Sequence, residues 1–303
     1  MNRLSVSGAS IAAVRTRLGG MEVDNLETAR LVAPDRAEAL VKTSGILKRR
    51  VAAKGETSLS LCVAAARELM ASVAVAPGEI GAVVSVSFTP QMAMPGNAHL
   101  AQAALGLAPD AAAFDLAHAC AGFIHGLYLA ARFAADSGKC VLLLDGDAQT
   151  PLADASTAML LSDAGSATLV RPDPRGKIDF AFLADGSRAD ALKVEGGKLR
   201  MDGFGVFKFV ADDVRRFLEE FVSRTGEVAA FVPHQANVYM VKSLAKSLGL
   251  EDRVVITGDM AGNCASASVA LGLEKTFASN IHGGVLLAGF GGGLAAAAAR
   301  IEL

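Results

Sequence analysis

A strand pattern meets a helix pattern at Phe114-Asp-Leu-Ala-His-Ala-Cys-Ala-Gly-Phe123. A cysteine at such a junction lies at the N-terminus of the helix, where unpaired N–H groups and the positive end of the helix dipole favour the nucleophilic thiolate. Ala121 and Gly122 leave open space beside the sulfur of Cys120. The stretch therefore predicts an α/β layer with an acyl-accepting cysteine at its edge. The alternative is a buried cysteine that packs as a small apolar side chain.

The alternation of strand and helix patterns continues on both sides of this junction. Short apolar runs alternate with segments of helical period, which indicates a layered α/β protein with strands covered on both faces. The expected strands are 4–8, 82–87, 112–116, 140–145, 166–170, 178–183, 229–232, 254–257, 285–288 and 296–301. The expected helices are 58–73, 97–105, 121–137, 205–224, 238–248 and 265–279.

The order of these patterns occurs twice along the chain, once up to about residue 170 and again, more loosely, from about residue 177. This favours an internal duplication, with an N-terminal half, 1–170, that carries the cysteine and a C-terminal half, 171–303. The segment 171–177 contains Pro172 and Pro174. It is typical of a tight connection between the halves rather than of a flexible linker.

The composition excludes several classes of partner and site. The 303 residues include 29 Lys and Arg against 31 Asp and Glu, a formal charge of −2, so no global basic field attracts nucleic acid or anionic lipid. The uncharged stretch 80–109 contains Pro90 and Pro95 and does not suit a membrane helix. No apolar signal region follows the N-terminus, and we expect a cytoplasmic protein. Scattered cysteines without a CxxC pair predict neither a disulfide framework nor a metal site; they are Cys62, Cys120, Cys140 and Cys264.

A second junction, Phe231-Val-Pro-His-Gln-Ala-Asn237, places a histidine at the end of a strand. Pro233 restricts the backbone, so that His234 is held at the carboxyl rim of the sheet, where open α/β sheets keep reactive groups. A structural histidine is the alternative reading. His118 is a minor candidate, because it lies close to Cys120 in the sequence.

Two further segments contain groups that suit a carbonyl substrate. Asn263 stands in a junction of small residues and can donate an amide N–H to a carbonyl oxygen, or else cap a helix. The glycines of Phe290-Gly-Gly-Gly293 allow a backbone N–H to approach a reacting carbonyl at oxyanion distance. Their spacing matches neither a dinucleotide fingerprint nor a P-loop. Cys264, which begins a helix pattern, is the only rival to Cys120 as nucleophile.

Together these segments resemble the thiolase-superfamily condensing enzymes, and most closely β-ketoacyl-acyl-carrier-protein synthase III. The resemblance spans nearly the whole chain and implies a thiolase-like duplicated five-layered αβαβα fold and a homodimer. It depends on Ala-Cys-Ala-Gly-Phe at 119–123, Val-Pro-His-Gln-Ala-Asn at 232–237, Gly-Asn at 262–263 and Phe-Gly-Gly-Gly at 290–293, with weaker support from Ser-Asp-Ala-Gly-Ser at 162–166, Met-Asp-Gly at 201–203 and Val-Phe-Lys at 206–208.

The resemblance also implies a mechanism. Cys120 takes an acyl group from a CoA or phosphopantetheine thioester, and His234 and Asn263 then assist decarboxylation of a malonyl thioester on an acyl carrier protein. Nε2 of His234 and the amide of Asn263 donate hydrogen bonds to the thioester oxygen. The oxyanion on the Cys120 adduct is held by the Cys120 N–H and one from Gly291, Gly292 or Gly293. The product would serve fatty-acid-like or specialised metabolite synthesis, and no permanently bound cofactor is expected.

The sequence departs from the family at the mouth of the expected site. Members that take a CoA primer commonly stack its adenine between a Trp and an Arg. This chain contains no Trp, and Ala155 stands at the Arg position. An acyl donor bound to a carrier protein, or CoA held differently, is therefore the expectation.

Basic side chains near the expected mouth are candidates for binding an acidic carrier protein or a phosphopantetheine phosphate. One group lies on two predicted helices and comprises Lys208, Arg215, Arg216, Lys242 and Lys246, and another comprises Lys42, Lys48, Arg49 and Arg50. Ordinary solvated helix faces are the alternative. Phe204 is a further substrate-contact candidate, and we expect it to line an acyl pocket with Met92, Met94 and Leu152.

Two other functions fit the same sequence less well. One is acyl transfer to a hydroxyl or amine acceptor without carbon–carbon bond formation. The other is a non-catalytic partner subunit of a heterodimeric ketosynthase. The presence of Cys120, His234 and Asn263 together argues against both, because neither function needs all three side chains.

Overall fold

The computed structural model describes residues 3–303 as stacked layers of helix and sheet. The strands are β1 Arg3–Leu18, β2 Met21–Asp24, β3 Lys48–Val51, β4 Ile80–Val86, β5 Ala112–Leu116, β6 Cys140–Asp147, β7 Ala164–Ala184, β8 Leu192–Glu195, β9 Lys198–Met201, β10 Ala230–Pro233, β11 Gly284–Gly291 and β12 Ala295–Glu302. The helices are α1 Asn25–Val32, α2 Ala37–Ser44, α3 Ser58–Val73, α4 Asn97–Ala104, α5 Gly122–Ser137, α6 Ala155–Ala158, α7 Gly203–Lys208, α8 Arg215–Thr225, α9 Val238–Ser247, α10 Gly258–Ala261 and α11 Ala267–Phe277. Over this range no helix is both long and apolar enough to cross a membrane.

The sheet repeats one pairing pattern in the two halves of the chain. Its order is β10-β11-β12-β7-β6-β4-β5, with β1 alongside β7. From β1 the first run passes through β7 and β6 by antiparallel pairing and then through β4 and β5 by parallel pairing. From β7 the second run passes through β12 and β11 by antiparallel pairing, then to β10 by parallel pairing, and ends in a single parallel bridge from Phe231 to Val254. The fold is therefore duplicated.

The strand β7 belongs to both runs. Its first part pairs with β6 and its last part pairs with β12, and it continues through 171–177 without interruption. The two halves thus share a strand where the sequence predicts a tight connection. A division into units at 1–170 and 171–303 stays a prediction.

Three apolar clusters define the layers. The central one packs α5 and α11 between the two runs, with Phe123 and Leu127 of α5 against Val84 of β4 and Val285 of β11. On one outer face α3 and α4 cover β4 and β6. On the other, α8 and α9 cover β10, β11 and β12. Because each helix layer buries one face of a sheet, the order is α-β-α-β-α, and the expected thiolase-like five-layered fold is confirmed.

Most of the expected strands and helices are present within a few residues, and the differences have physical reasons. The helix expected at 205–224 contains a π-helical segment, Phe209–Val214, and the strand expected at 254–257 is reduced to the bridge at Val254. The elements α1, α2, β2, β3, β8 and β9 were not predicted. The strands β8 and β9 form an antiparallel pair with partly exposed, charged residues, so no apolar run marks them in the sequence.

Candidate active site

A cavity of about 830 Å³ lies between the two halves of the molecule. Residues from both halves line it, including Cys120, His234, Asn263 and the turn Gly291–Gly293. These residues are far apart in the sequence, and the structure brings them to one chamber. Its size suits a substrate that is largely enclosed by protein.

Cys120 lies between the end of β5 and the start of α5 and is half-buried. Burial, together with the nearby charge of Asp147, raises the pKa of its thiol to about 12. Hydrogen bonds from the backbone N–H groups of Cys120 and Gly292 oppose this shift but do not outweigh it. The expectation that the helix N-terminus keeps Cys120 as a thiolate is therefore wrong for the free protein, because desolvation dominates. The sulfur must lose its proton as it attacks.

The turn at residues 291–293 packs directly on this cysteine. A Cβ atom on Gly291 would lie 2.8 Å from the Cβ of Cys120, and the φ of Gly291 is +156°. Both facts exclude a side chain at this position. The N–H groups of Gly292 and Cys120 both point at the sulfur. When the sulfur attacks a carbonyl carbon, the carbonyl oxygen therefore lies beside these two donors. Two converging backbone donors are the arrangement that stabilises a tetrahedral oxyanion.

His234 follows β10 and is 2% exposed. Its backbone N–H donates to the carbonyl of Ala288, while its Nδ1 atom lies 2.9 Å from the carbonyl oxygen of Ala265 and 2.9 Å from the hydroxyl of Ser268. Because a carbonyl oxygen can only accept, Nδ1 carries the proton and Nε2 of the neutral ring does not. Burial lowers the pKa of His234 to about 4. The expectation that Nε2 donates to substrate therefore needs correction: Nε2 is a base until it takes up a proton.

Asn263 is held so that its amide nitrogen is available to the cavity. Its Oδ1 accepts a hydrogen bond of 2.9 Å from the N–H of Ala265. Its Nδ2 has one long contact, 3.4 Å, with the carbonyl of Ala236. Since Oδ1 is engaged, the amide orientation is settled, and an N–H of Asn263 can donate to a carbonyl oxygen, as expected from the sequence.

A buried carboxyl group stands behind Cys120 at the end of β6. Oδ1 of Asp147 accepts hydrogen bonds from the hydroxyl of Ser87 and the backbone N–H groups of Phe88 and Thr89. Burial nevertheless raises the pKa of Asp147 to about 7. This group was not predicted from the sequence, although Asp-Gly-Asp at the end of an apolar strand is an available signal.

Asp145 is a second buried carboxyl on the same strand. It is completely buried, its Oδ1 accepts from the hydroxyl of Ser266, and its Oδ2 has no partner among the described residues. Burial raises the pKa of Asp145 well above its usual range. Ser266 immediately precedes α11, so this group lies beneath the start of a central helix.

The remaining cysteines lie outside the cavity lining, whereas His118 forms part of it. Cys62 is buried in α3 and Cys140 opens β6. The rival Cys264 is 2% exposed, and its sulfur contacts the carbonyl of Ala261 rather than the cavity. His118 does line the cavity, and its ring stacks on His125 with centroids 4.1 Å apart.

The basic side chains of the first group divide into those that form an ion pair within the described residues and those that do not. Lys208, Lys242 and Lys246 are exposed and form no ion pair within residues 3–303. Arg215 pairs with Glu219 at 2.6 Å, and Arg216 pairs with Asp213 at 2.9 Å.

In the second basic group, most side chains are already bonded. Lys48 pairs with Glu22 at 2.6 Å, and Arg50 donates to the carbonyl of Gly19. Arg49 is 6% exposed and donates to Oδ1 of Asn25. Of this group Lys42 alone is both exposed and without an ion pair among the described residues. The expectation of a free basic cluster here is therefore wrong, because internal partners already bind three of its four members.

The apolar wall of the cavity differs from the expected one. Met94 is 87% exposed and Phe204 is 77% exposed; neither they nor Met92 and Leu152 line the cavity. A wall of these four residues was a wrong prediction. The side chains that form it come from several elements, including the β8–β9 hairpin, which the sequence patterns do not reveal; they include Leu160, Leu161, Leu192, Leu199, Met201, Val206, Val210 and Met240.

The chain is similar to known proteins along most of its length. Residues 114–186 match the family described as 3-oxoacyl-[acyl-carrier-protein (ACP)] synthase III, and residues 218–303 match its C-terminal family. A protein from Rhizorhabdus wittichii is 32% identical, with 90% of each chain covered. A protein from Neisseria meningitidis serogroup C is 32% identical, with 97% of this chain and 99% of the relative covered. Both are named β-ketoacyl-[acyl-carrier-protein] synthase III.

Solved structures give the same result. The 3-oxoacyl-(acyl-carrier protein) synthase from Burkholderia xenovorans superposes with a TM-score of 0.93 at 27% identity, covering 100% of this chain and 96% of that one. The priming β-ketosynthase from the R1128 polyketide biosynthetic pathway has a TM-score of 0.90 at 30% identity, covering 98% and 97% of the two chains. Sequence and fold are thus similar to one group of condensing enzymes.

Proposed function

The chain belongs to the β-ketoacyl-[acyl-carrier-protein] synthase III family and is a condensing enzyme, and on this premise we propose its chemical steps. An acyl group passes from a thioester to Cys120, and a malonyl thioester then loses carbon dioxide and condenses with that acyl group. The observation that carries this proposal is the convergence of Cys120, His234 and Asn263 on one cavity with the glycine turn.

In the first step the sulfur of Cys120 attacks the carbonyl carbon of the acyl donor. The thiol proton passes to Nε2 of His234, which is free to accept it, and from there to the sulfur of the departing thiol. A carbon–sulfur bond to Cys120 forms while that of the donor breaks. The N–H groups of Cys120 and Gly292 bind the oxyanion during the exchange. A neutral thiol and a neutral imidazole are suitable starting states, since no ion pair has to be buried.

In the second step the malonyl thioester loses carbon dioxide and leaves an enolate. The amide N–H of Asn263 donates to its oxygen. Condensation consumes one proton, which Nε2 of His234 takes up from solvent when the malonyl carboxylate approaches, because a nearby negative charge favours the imidazolium. The protonated ring then donates to the enolate oxygen. The enolate carbon bonds to the acyl carbon, and the released Cys120 sulfur receives the proton.

Two measurements test these steps separately. Mass spectrometry after mixing with an acyl thioester should show an acyl adduct on Cys120 that Cys120→Ala abolishes. Release of carbon dioxide from malonyl-carrier protein should fall on the order of a hundredfold in Asn263→Ala and in His234→Ala. Labelling at another residue would refute the role of Cys120. Unchanged carbon dioxide release in both variants would refute the decarboxylation roles.

The partners follow from the same proposal. The free ammonium groups of Lys208, Lys242 and Lys246 suit an acidic acyl carrier protein and the phosphate of its phosphopantetheine. The chain has no Trp, which favours a carrier-bound donor over a CoA adenine held by stacking. The substrates are thioesters, with no resident cofactor, and the products serve fatty-acid-like or specialised metabolite synthesis. A cytoplasmic location is likewise a prediction.

We also propose a homodimer joined at β5. Among residues 3–303 this strand pairs with β4 alone and forms one end of the sheet. Its residue Phe114 is 44% exposed, and its neighbour on the other side would have to be another chain. A bare edge strand with an exposed aromatic side chain is costly in a monomer and suits pairing with a second copy.

The alternative functions are less well supported. Family membership favours condensation over simple transfer to a hydroxyl or amine. A non-catalytic partner subunit would not need an oxyanion site around Cys120, nor an Asn263 amide turned towards the cavity.

A further inference from the structure

The side-chain amide of Gln149 lines the cavity in an unusual bonding state. Gln149 is 4% exposed. Its Nε2 donates to the carbonyl oxygens of Ser162, at 2.9 Å, and Asn263, at 2.8 Å. Its Oε1 accepts no hydrogen bond from any described residue. Because Gln149 lines the cavity, this oxygen is an acceptor without a protein donor among residues 3–303 and is accessible to water or substrate.

The orientation of this amide is settled by its neighbours. Both groups that face the nitrogen are carbonyl oxygens, which only accept, so an amide turned over would place oxygen against oxygen. At this point the cavity wall therefore presents the oxygen of the amide, a hydrogen-bond acceptor, and not its NH2 group.

Gln235 shows how a buried amide is completed elsewhere in the same protein. Its Nε2 also donates to two carbonyls, those of Pro233 and Val255. Its Oε1, however, accepts from the backbone N–H groups of Thr257 and Gly258. Buried polar atoms are normally paired in this way. Oε1 of Gln149 has no such protein donors, so its hydrogen-bond partner in the cavity is water or substrate.

We propose, building on the condensing activity proposed above, that Oε1 of Gln149 selects acyl donors that carry a hydroxyl group on the acyl chain. The hydroxyl donates to Oε1 and completes the bonding of the amide. An unsubstituted alkyl chain displaces water from the same oxygen but donates no hydrogen bond in its place. The position is close to the reacting groups, because Gln149 bonds directly to the backbone of Asn263.

The geometry also argues against a carboxylate-bearing acyl chain. An ionised carboxylate offers only acceptors and cannot donate a hydrogen bond to Oε1 of Gln149. A hydroxyl group is neutral, small and able to donate. It therefore fits a cavity whose other walls are largely aliphatic.

A competition experiment tests this assignment. The enzyme receives, in one mixture, butanoyl thioester and one of the 2-, 3- or 4-hydroxybutanoyl thioesters, each on CoA and on carrier protein, and the ratio of adducts on Cys120 is measured. The wild type should favour at least one hydroxy isomer on the order of tenfold. Gln149→Leu should bring that ratio close to one. Because both substrates compete for the same folded molecules, the ratio does not depend on how much of the variant folds.

A matched control separates selection from structural damage. Gln102 on α4 also donates through Nε2 to two carbonyls, those of Ala108 and Ala111, but it does not line the cavity. Gln102→Leu should keep the wild-type ratio.

Each outcome is decisive. Equal labelling by butanoyl and all hydroxybutanoyl thioesters in the wild type, or an unchanged preference in Gln149→Leu, overturns the role of Gln149 while leaving the condensing activity intact. If no thioester labels Cys120 at all, the proposed function fails and this inference fails with it.

Discussion

The backbone of Gly291 lies against the side chain of Cys120, so closely that an added Cβ would be 2.8 Å from the Cβ of Cys120 and 3.0 Å from its sulfur. The contact joins the end of β11 in the C-terminal half to the junction of β5 and α5 in the N-terminal half. Since Gly292 follows directly, this contact also sets where its N–H meets the sulfur.

Replacement of this glycine should therefore abolish acylation. We expect Gly291→Ala to slow formation of the Cys120 adduct on the order of a hundredfold, because the new methyl group displaces either the sulfur or the N–H donor of Gly292. Gly78→Ala is the control, since a Cβ on Gly78 meets nothing within 4 Å. Adduct formation is followed by mass spectrometry over time. A normal rate in Gly291→Ala would contradict the close packing.

The raised pKa of Cys120 predicts how its reactivity depends on pH. With a pKa of about 12, the thiolate is a small fraction at neutral pH and grows about tenfold for each pH unit. Alkylation by iodoacetamide should accordingly increase steadily from about pH 7 to about pH 10. A plateau beginning below about pH 8 would instead indicate a stable thiolate–imidazolium pair.

The carboxyl group of Asp147 should slow that alkylation. Asp147→Asn keeps an oxygen for the donors of Ser87 and Thr89 but removes the charge that raises the pKa of Cys120. We expect the rate at about pH 8 to rise severalfold, roughly what a fraction of a pKa unit produces. Asp252→Asn is the control, because Asp252 is exposed and does not line the cavity. An unchanged or lower rate in Asp147→Asn would show that the charge of Asp147 does not reach the sulfur.

The exposed lysines should act on carrier-bound substrates. In a variant with Lys208→Glu, Lys242→Glu and Lys246→Glu, KM for an acyl-carrier donor should rise on the order of tenfold and depend less on salt, while KM for a small acyl thioester stays unchanged. Lys139→Glu is the control, since Lys139 precedes β6 at the end remote from Asp147. Equal effects on both donors would place these lysines outside a carrier surface.

The edge of β5 should decide the oligomeric state. Phe114→Glu introduces a charge on the bare strand, and we expect the dissociation constant of a dimer to rise on the order of a hundredfold. Light scattering over a range of concentrations measures this directly. Val73→Glu changes a similarly exposed side chain, 37% against 44%, and should leave the dimer intact. A monomeric wild type would refute the proposed dimer altogether.

Much of the fold was predictable because its signals are local. The elements α3, α5, β4 and β6 are marked by apolar runs and helical spacing, and each is found within a few residues of the expected position. The elements α1, α2, β8 and β9 have no such signal. They are short and partly exposed, so propensity alone does not indicate them.

The candidate site divides in the same way. Cys120 and His234 each follow a recognisable strand end, whereas Asn263 follows the short helix α10, because the strand expected before it is reduced to a bridge at Val254. The lining of the cavity was not predictable, because the β8–β9 hairpin enters it from outside the strand pattern. The hydrogen bond from Arg49 to Asn25 was not predictable from the sequence either, because these two residues meet only in the folded chain.

The order of residues by itself determined a duplicated α/β protein with a cysteine and a histidine at strand ends and an asparagine in a junction of small residues. Periodicity and turn residues act over a few positions, so the linear chain contains that information. Tertiary structure alone decided the protonation of the site and the polarity of its wall. Burial raises the pKa of Cys120 and lowers that of His234. Two carbonyl groups from separate segments fix the orientation of the Gln149 amide by accepting its hydrogen bonds. Desolvation and hydrogen-bond geometry arise from the whole surroundings of a group, which exist only once the chain has folded.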